Sequence, residues 1–89
     1  MLDLDGRLEH LPRGWRRSKK DSANAYYIAD DFVVIIFKHA DRNQFGIVSK
    51  CFATGESTFQ PDKFDFESDA LRAAEDLVDD LENTHGAAY

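Results

Sequence analysis

The run Phe32-Val33-Val34-Ile35-Ile36-Phe37 limits what this chain can become more than any other stretch. Six consecutive residues that are β-branched or aromatic, with polar turns on either side, suit a strand that buries both faces. With 89 residues, the chain has little material to cover two sides of a sheet. What lies over the second side is therefore a structural question with functional weight.

The flanking segments read as further strands. Tyr26-Tyr27-Ile28-Ala29 has strand composition, and Asp30-Asp31 provides a two-residue hairpin turn into the central run. The central strand extends toward His39, and Ala40–Gln44 is the next turn. Phe45–Phe52 is a strand with Phe45, Ile47 and Cys51 on one face and Val48 and Phe52 on the other. Thr54-Gly55 turns the chain into a short polar strand, Glu56–Phe59, which suits an edge. Pro61 stops it, because proline cannot donate to the ladder.

Beyond Pro61 the period changes. Ser68 is a natural helix N-cap, with Asp69 placed well against the helix dipole. From there to about Asn83, Ala70, Leu71, Ala74, Leu77, Val78 and Leu81 fall on one arc of about 120°. Asp69, Glu75, Asp76, Asp79, Asp80 and Glu82 occupy the rest. At the other end of the chain, Leu4, Leu8 and Leu11 have helical spacing up to Pro12, weakened by Gly6. Residues 13–25 read as a polar, basic loop or an irregular edge segment leading into the sheet. The expected fold is thus α+β and a single domain over 1–89. An arm or short helix and a basic loop fill 1–25, three or four antiparallel strands fill 26–59, and an acidic amphipathic helix over 68–83 covers one face. Leu2, Leu4, Leu8, Leu11 and Trp15 are candidates to cover the other, or a second copy of the sheet does so in a homodimer.

Composition narrows the function classes. Net charge is −6, from 11 basic and 17 acidic residues, which disfavours general attraction to nucleic acid or an anionic membrane. The longest apolar run falls far short of the ~20 residues needed to span a bilayer. One cysteine, Cys51, allows no intramolecular disulfide, and Met1–Asp5 lacks the layout of a signal peptide. A cytoplasmic location is expected.

Catalytic chemistry is not signalled. His10, His39 and His85 lie far apart, and Cys51 has no neighbouring ligand, so no metal is expected. Cys51 is expected to face the core with Phe45 and Ile47 as an inert small hydrophobe. Asp30-Asp31 and Asp79-Asp80 suit a turn and a solvated helix face rather than an acid–base pair. The five glycines form no phosphate loop. An enzyme and a cofactor are not expected.

Two charge features remain. From Asp65 to Glu82 there are eight acids against one base, Arg72, a net of −7. Carboxylates at i,i+3 and i,i+4, such as Asp76 with Asp79 and Asp80, destabilise a helix by a few tenths of a kcal/mol per pair. A face kept this acidic fits docking on a basic protein surface, where carboxylates stand in for phosphates. The second feature is basic: Arg13, Arg16, Arg17, Lys19 and Lys20, with Trp15 among them. Cations that grip phosphates and an aromatic that stacks on a base give a nucleic-acid reading for that segment.

The stretch Phe64–Ala74 following antiparallel strands resembles two kinds of small mobile-element protein. Its start, Phe66-x-Ser68-x-Ala70, is similar to that of the helix that follows the three-stranded sheet in integrase arm-type domains. That resemblance implies a sheet entering the DNA major groove, although the strands here carry only Lys38 and Lys50. In size, charge and strand-plus-helix build the chain also resembles the small acidic phage-encoded inhibitors of the anti-CRISPR type. That resemblance implies a non-enzymatic inhibitor acting in the bacterial host cytoplasm on a basic, nucleic-acid-handling protein. The expected contact residues are then Asp69, Glu75, Asp76, Asp79, Asp80 and Glu82. The alternatives are nucleic-acid binding through the basic segment, and a structural homodimer.

Overall fold

A computed structural model describes residues 10–19, 24–39 and 44–86, the last three as backbone only. The chain forms an antiparallel meander of five strands in sheet order β1-β2-β3-β4-β5, followed by one helix. The strands are β1 (Trp15–Arg17), β2 (Ala25–Ile28), β3 (Phe32–Lys38), β4 (Phe45–Cys51) and β5 (Ser57–Phe59), and the helix is α1 (Glu67–Gly86). The α+β class and the antiparallel sheet agree with the sequence reading, with one strand more than the upper expectation.

The extra strand is β1, at the sheet edge, in the segment read as a loop or an irregular edge segment. Pro12 accepts a hydrogen bond from the Trp15 amide at 3.1 Å, closing a four-residue turn. Gly14, its third residue, has φ of +92°, a conformation that favours glycine. The turn aims Trp15–Arg17 along β2, pairing Trp15 with Tyr27 and Arg17 with Ala25. Asp30-Asp31 forms the expected two-residue turn, closed by the Ala29 amide donating to the Phe32 carbonyl at 2.8 Å. Gly55, with φ of +73°, helps turn β4 into β5.

Period-two alternation splits the central run between two environments. Phe32, Val34 and Ile36 are buried under the helix, while Val33, Ile35 and Phe37 are half-buried on the opposite side. The helix side is the core: Trp15, Ala25, Val34, Ile36, Phe45 and Ile47 meet Ala70, Leu71, Ala74 and Val78 of α1. Leu77 and Leu81 pack at its margin. The helical apolar arc inferred from sequence is therefore the face that docks. Burying a side chain such as Ile36 or Ile47 contributes about 1.5–3 kcal/mol, and these two are 1% and 2% exposed.

The helix starts at Glu67, so Ser68 lies within the first turn and is not the cap. The Phe66 carbonyl accepts from Asp69 and Ala70, both at 3.2 Å, which puts the cap at Phe66, two residues before Ser68. A two-way backbone bridge between Phe45 and Phe64 fixes the segment entering α1 against the start of β4.

On the second side of the sheet, no residue among those described forms a covering layer. Leu11 and Trp15, two candidates for that role, pack on the helix side instead. Strand β1 joins the sheet with Trp15 in register with Tyr27 and Val34, which directs it under the helix. Leu2, Leu4 and Leu8, and the expected N-terminal helical turn, lie outside the described residues.

Candidate interaction surfaces

Strand register maps each face. On the helix side, Arg17, Ala25, Ile36 and Ile47 form one row across the sheet. Ala25 is fully buried and small, and the Arg17 side chain runs beside it to α1. Its guanidinium donates two hydrogen bonds to Glu67, Nη1 to Oε2 at 2.8 Å and Nη2 to Oε1 at 2.7 Å. The Glu67 side chain is 0% exposed and that of Arg17 26%. A fork-to-fork pair of this kind adds geometric specificity to its charge, and it pins edge strand β1 to the first turn of the helix. Among the described residues Glu67 is the one charged residue in the buried core, and its role was missed from sequence. Its partner lies fifty positions away, and nothing local marks it.

The basic segment is consequently not one patch. Alternation along β1 sends Trp15 and Arg17 to the helix side and Arg16 to the opposite side. Trp15 is 8% exposed, its ring 5.7 Å from that of Tyr27. A ring so enclosed offers little surface for stacking on a base. Arg17 is committed to Glu67. Arg13, Arg16 and Lys19 are exposed, and Lys20 lies outside the described residues.

The acidic arc behaves differently. Asp69, Glu75, Asp76, Asp79, Asp80 and Glu82 are all exposed along α1. Among the described residues, no ion pair forms to Asp69, Glu75, Asp76 or Asp79. Glu82 accepts a hydrogen bond from the Tyr27 hydroxyl at 2.8 Å. That bond, then partial burial and the charges of Glu82 and Asp79, raises the Tyr27 pKa above its ordinary value near 10. Glu75, Asp79 and Glu82 also line a shallow hollow of about 200 Å³ with Arg13, Trp15 and Tyr27. Arg13 therefore stands at the border of the acidic arc.

The side of the sheet away from α1 has the opposite character. Its middle row runs Arg16, Tyr26, Ile35, Val48, Phe59 from edge to edge. A second row runs Ile28, Val33, Lys50, Ser57. Phe37 lies directly over Gly46, its cross-strand partner, and meets the rings of His39 at 4.9 Å and Phe59 at 6.0 Å. A side chain on Gly46 would have its Cβ 2.8 Å from Phe37 Cζ, so glycine there makes room for the ring. Ser18, Asn24, Tyr26, Val33 and Ile35 line a shallow depression of about 350 Å³. Neither of the two rows contains a carboxylate.

Cys51 ends β4 on the helix side, as its register with Phe32 requires, but it is only half-buried. Hydrogen bonds from the Thr54 amide and hydroxyl and the Ala53 amide lower its pKa against a smaller opposing effect of burial. The thiol is thus held at a hairpin tip and not within the core. No group of three His, Cys, Asp or Glu side chains suited to a metal occurs among the described residues. No helix there is long and apolar enough to cross a membrane. Comparisons with protein-family models, with curated proteins and with solved structures find no match.

Proposed function

We propose that this protein is a non-enzymatic interaction module whose acidic helix face docks on a basic, nucleic-acid-handling protein, in the manner of a phage-encoded inhibitor. One observation carries the reading. The chain directs the half-buried guanidinium of Arg17 to the buried Glu67, beneath the helix, while six carboxylates stay on the solvent side. These acids follow one straight scaffold, so their spacing is fixed before any partner arrives. A preset row of charge loses little conformational entropy on binding and steers a cationic partner at long range. The mutual repulsion of Glu75, Asp76, Asp79 and Asp80 weakens the isolated helix, and a cationic partner relieves it.

The test compares the wild type with an Asp76→Lys/Asp79→Lys/Asp80→Lys variant and with an Asp30→Lys/Asp31→Lys/Asp62→Lys control of equal charge. Each is used to retain proteins from a bacterial lysate at ~150 mM salt, where bare surface charges are screened beyond about 8 Å. The expected result is a basic nucleic-acid-binding protein retained by the wild type and the control and lost with the helix variant. The same proteins on all three, or none on the wild type, would refute the reading.

A further inference from the structure

We infer that the side of the sheet away from α1, over which no described residue forms a layer, is the interface of a homodimer, in which two copies pack sheet to sheet with their helices outward. This inference is independent of what the acidic face binds. Three observations lead to a second copy as the occupant.

The first is the apolar character of the face. Val33, Ile35 and Val48 occupy its centre, and Ile28 and Phe59, at 59% and 67% exposed, stand at its margins. Exposed patches of this kind mark interaction sites in soluble proteins. Aliphatic side chains fill the centre of this face, with Tyr26, Phe37 and Phe59 around them and Arg16 and Lys50 at its borders, a mix that suits a packed layer between two sheets.

The second is area. The 24 residues of the five strands, at about 3.3 Å rise and about 4.8 Å spacing, give a footprint of about 380 Å² per copy. Side-chain relief enlarges this, so two copies bury about 1,000 Å² or more, the threshold for a specific interface. Two twisted antiparallel sheets packed face to face about 10 Å apart form a known layer arrangement.

The third is the placement of charge. A chain of net charge −6 would ordinarily repel its own copy. Here the acids of α1 lie on the far side of the sheet from this face, whose two mapped rows carry Arg16 and Lys50 and no carboxylate. In a helix–sheet–sheet–helix sandwich the two acidic faces sit about 30 Å apart or more, several screening lengths at physiological salt. The segregation removes the electrostatic cost of self-association from the surface that associates.

The experiment is sedimentation equilibrium of the full chain from about 1 to 100 µM, on the wild type, an Ile28→Ser/Phe59→Ser variant and an Asp76→Lys control. Both substituted side chains project into solvent in the single copy, so the fold does not depend on them. In a two-fold interface each change counts twice, and the dimer dissociation constant should rise at least ~100-fold. The expected result is a wild-type mass twice the 10.1 kDa of one chain. The variant should run as a folded monomer by circular dichroism, and the control should dimerise like the wild type. A wild type that stays monomeric to 100 µM overturns the inference, and points to a different occupant of the face. A dimer equally stable in the Ile28→Ser/Phe59→Ser variant also overturns it, because the copies then meet elsewhere.

Discussion

Replacing Arg17 with alanine removes the guanidinium from a carboxylate that stays out of water. Glu67 is 0% exposed, so its charge cannot regain hydration unless the helix start moves. Breaking a buried pair by deleting one partner costs about 3–5 kcal/mol. The Arg17 side chain is 26% exposed, so part of the pair is already screened, and the lower figure applies: about 3 kcal/mol. For a domain of this size, total stability is about 4–13 kcal/mol, so the loss is a large fraction of it. In a thermal melt it should lower Tm by roughly 12–24 °C, since 1 kcal/mol is worth about 4–8 °C in a domain this small. The reciprocal change, Glu67→Met, should cost less. It leaves an arginine that can turn toward solvent at the sheet edge, and it fills the site with an apolar chain. The double variant Arg17→Met/Glu67→Met should recover most of the loss, because apolar replacement of both partners is often neutral. Urea titrations of the four proteins at pH 7 measure this through the midpoint at constant slope. A cost below about 1 kcal/mol for Arg17→Ala, or a larger one for Glu67→Met, would show that the pair does not hold β1 to α1.

Two further outcomes follow from contacts elsewhere. Absorbance titration at 295 nm should find Tyr27 ionising above the ordinary tyrosine range, and Glu82→Gln should bring it back toward that range. Because the folded-state pKa is raised, the associated stability is present below pH ~10 and is lost as pH rises through the folded value. Gly46→Ala should destabilise by about 1 kcal/mol by displacing the Phe37 ring. The penalty should shrink in a Phe37→Ala background, and unchanged additivity in that double-mutant cycle would remove Phe37 as the cause.

Local patterns carried most of the fold. The β-branched run, the Asp30-Asp31 turn and the 3.6-residue period after Pro61 each specify an element through interactions within a few residues, and each is present. The strand β1 was not legible because its three residues have no apolar alternation of their own. They become a strand by pairing with β2, a tertiary effect that overrides weak local preference. The Ser68 cap was a sound local signal displaced by another constraint, the bridge that ties Phe64 to Phe45 and brings the chain into the helix two residues earlier. The acidic arc was legible as a charge pattern on a helical period, and the structure leaves it exposed. The division of the basic segment was not, because it depends on which residues of β1 face the helix.

That division connects the two surfaces of the molecule. Had residues 13–19 remained a loop, their cations could have folded over the acidic arc and neutralised it. As a strand, the segment holds Arg17 under the helix and turns Arg16 to the opposite side, beyond reach of α1. The same pairing widens the sheet by one strand and sets Arg16 at the border of the face that a second copy would cover. An insertion of one residue between Gly14 and Trp15 would exchange the faces of the following side chains, since strand alternation has a period of two. Arg16 would then take the place of Arg17 beside Ala25, with Trp15 turned outward. The chain resists this because the Trp15 ring and the Glu67 pair both require the present register. The edge strand thus sets the charge distribution of both faces, and disrupting its register should alter helix anchoring and self-association together.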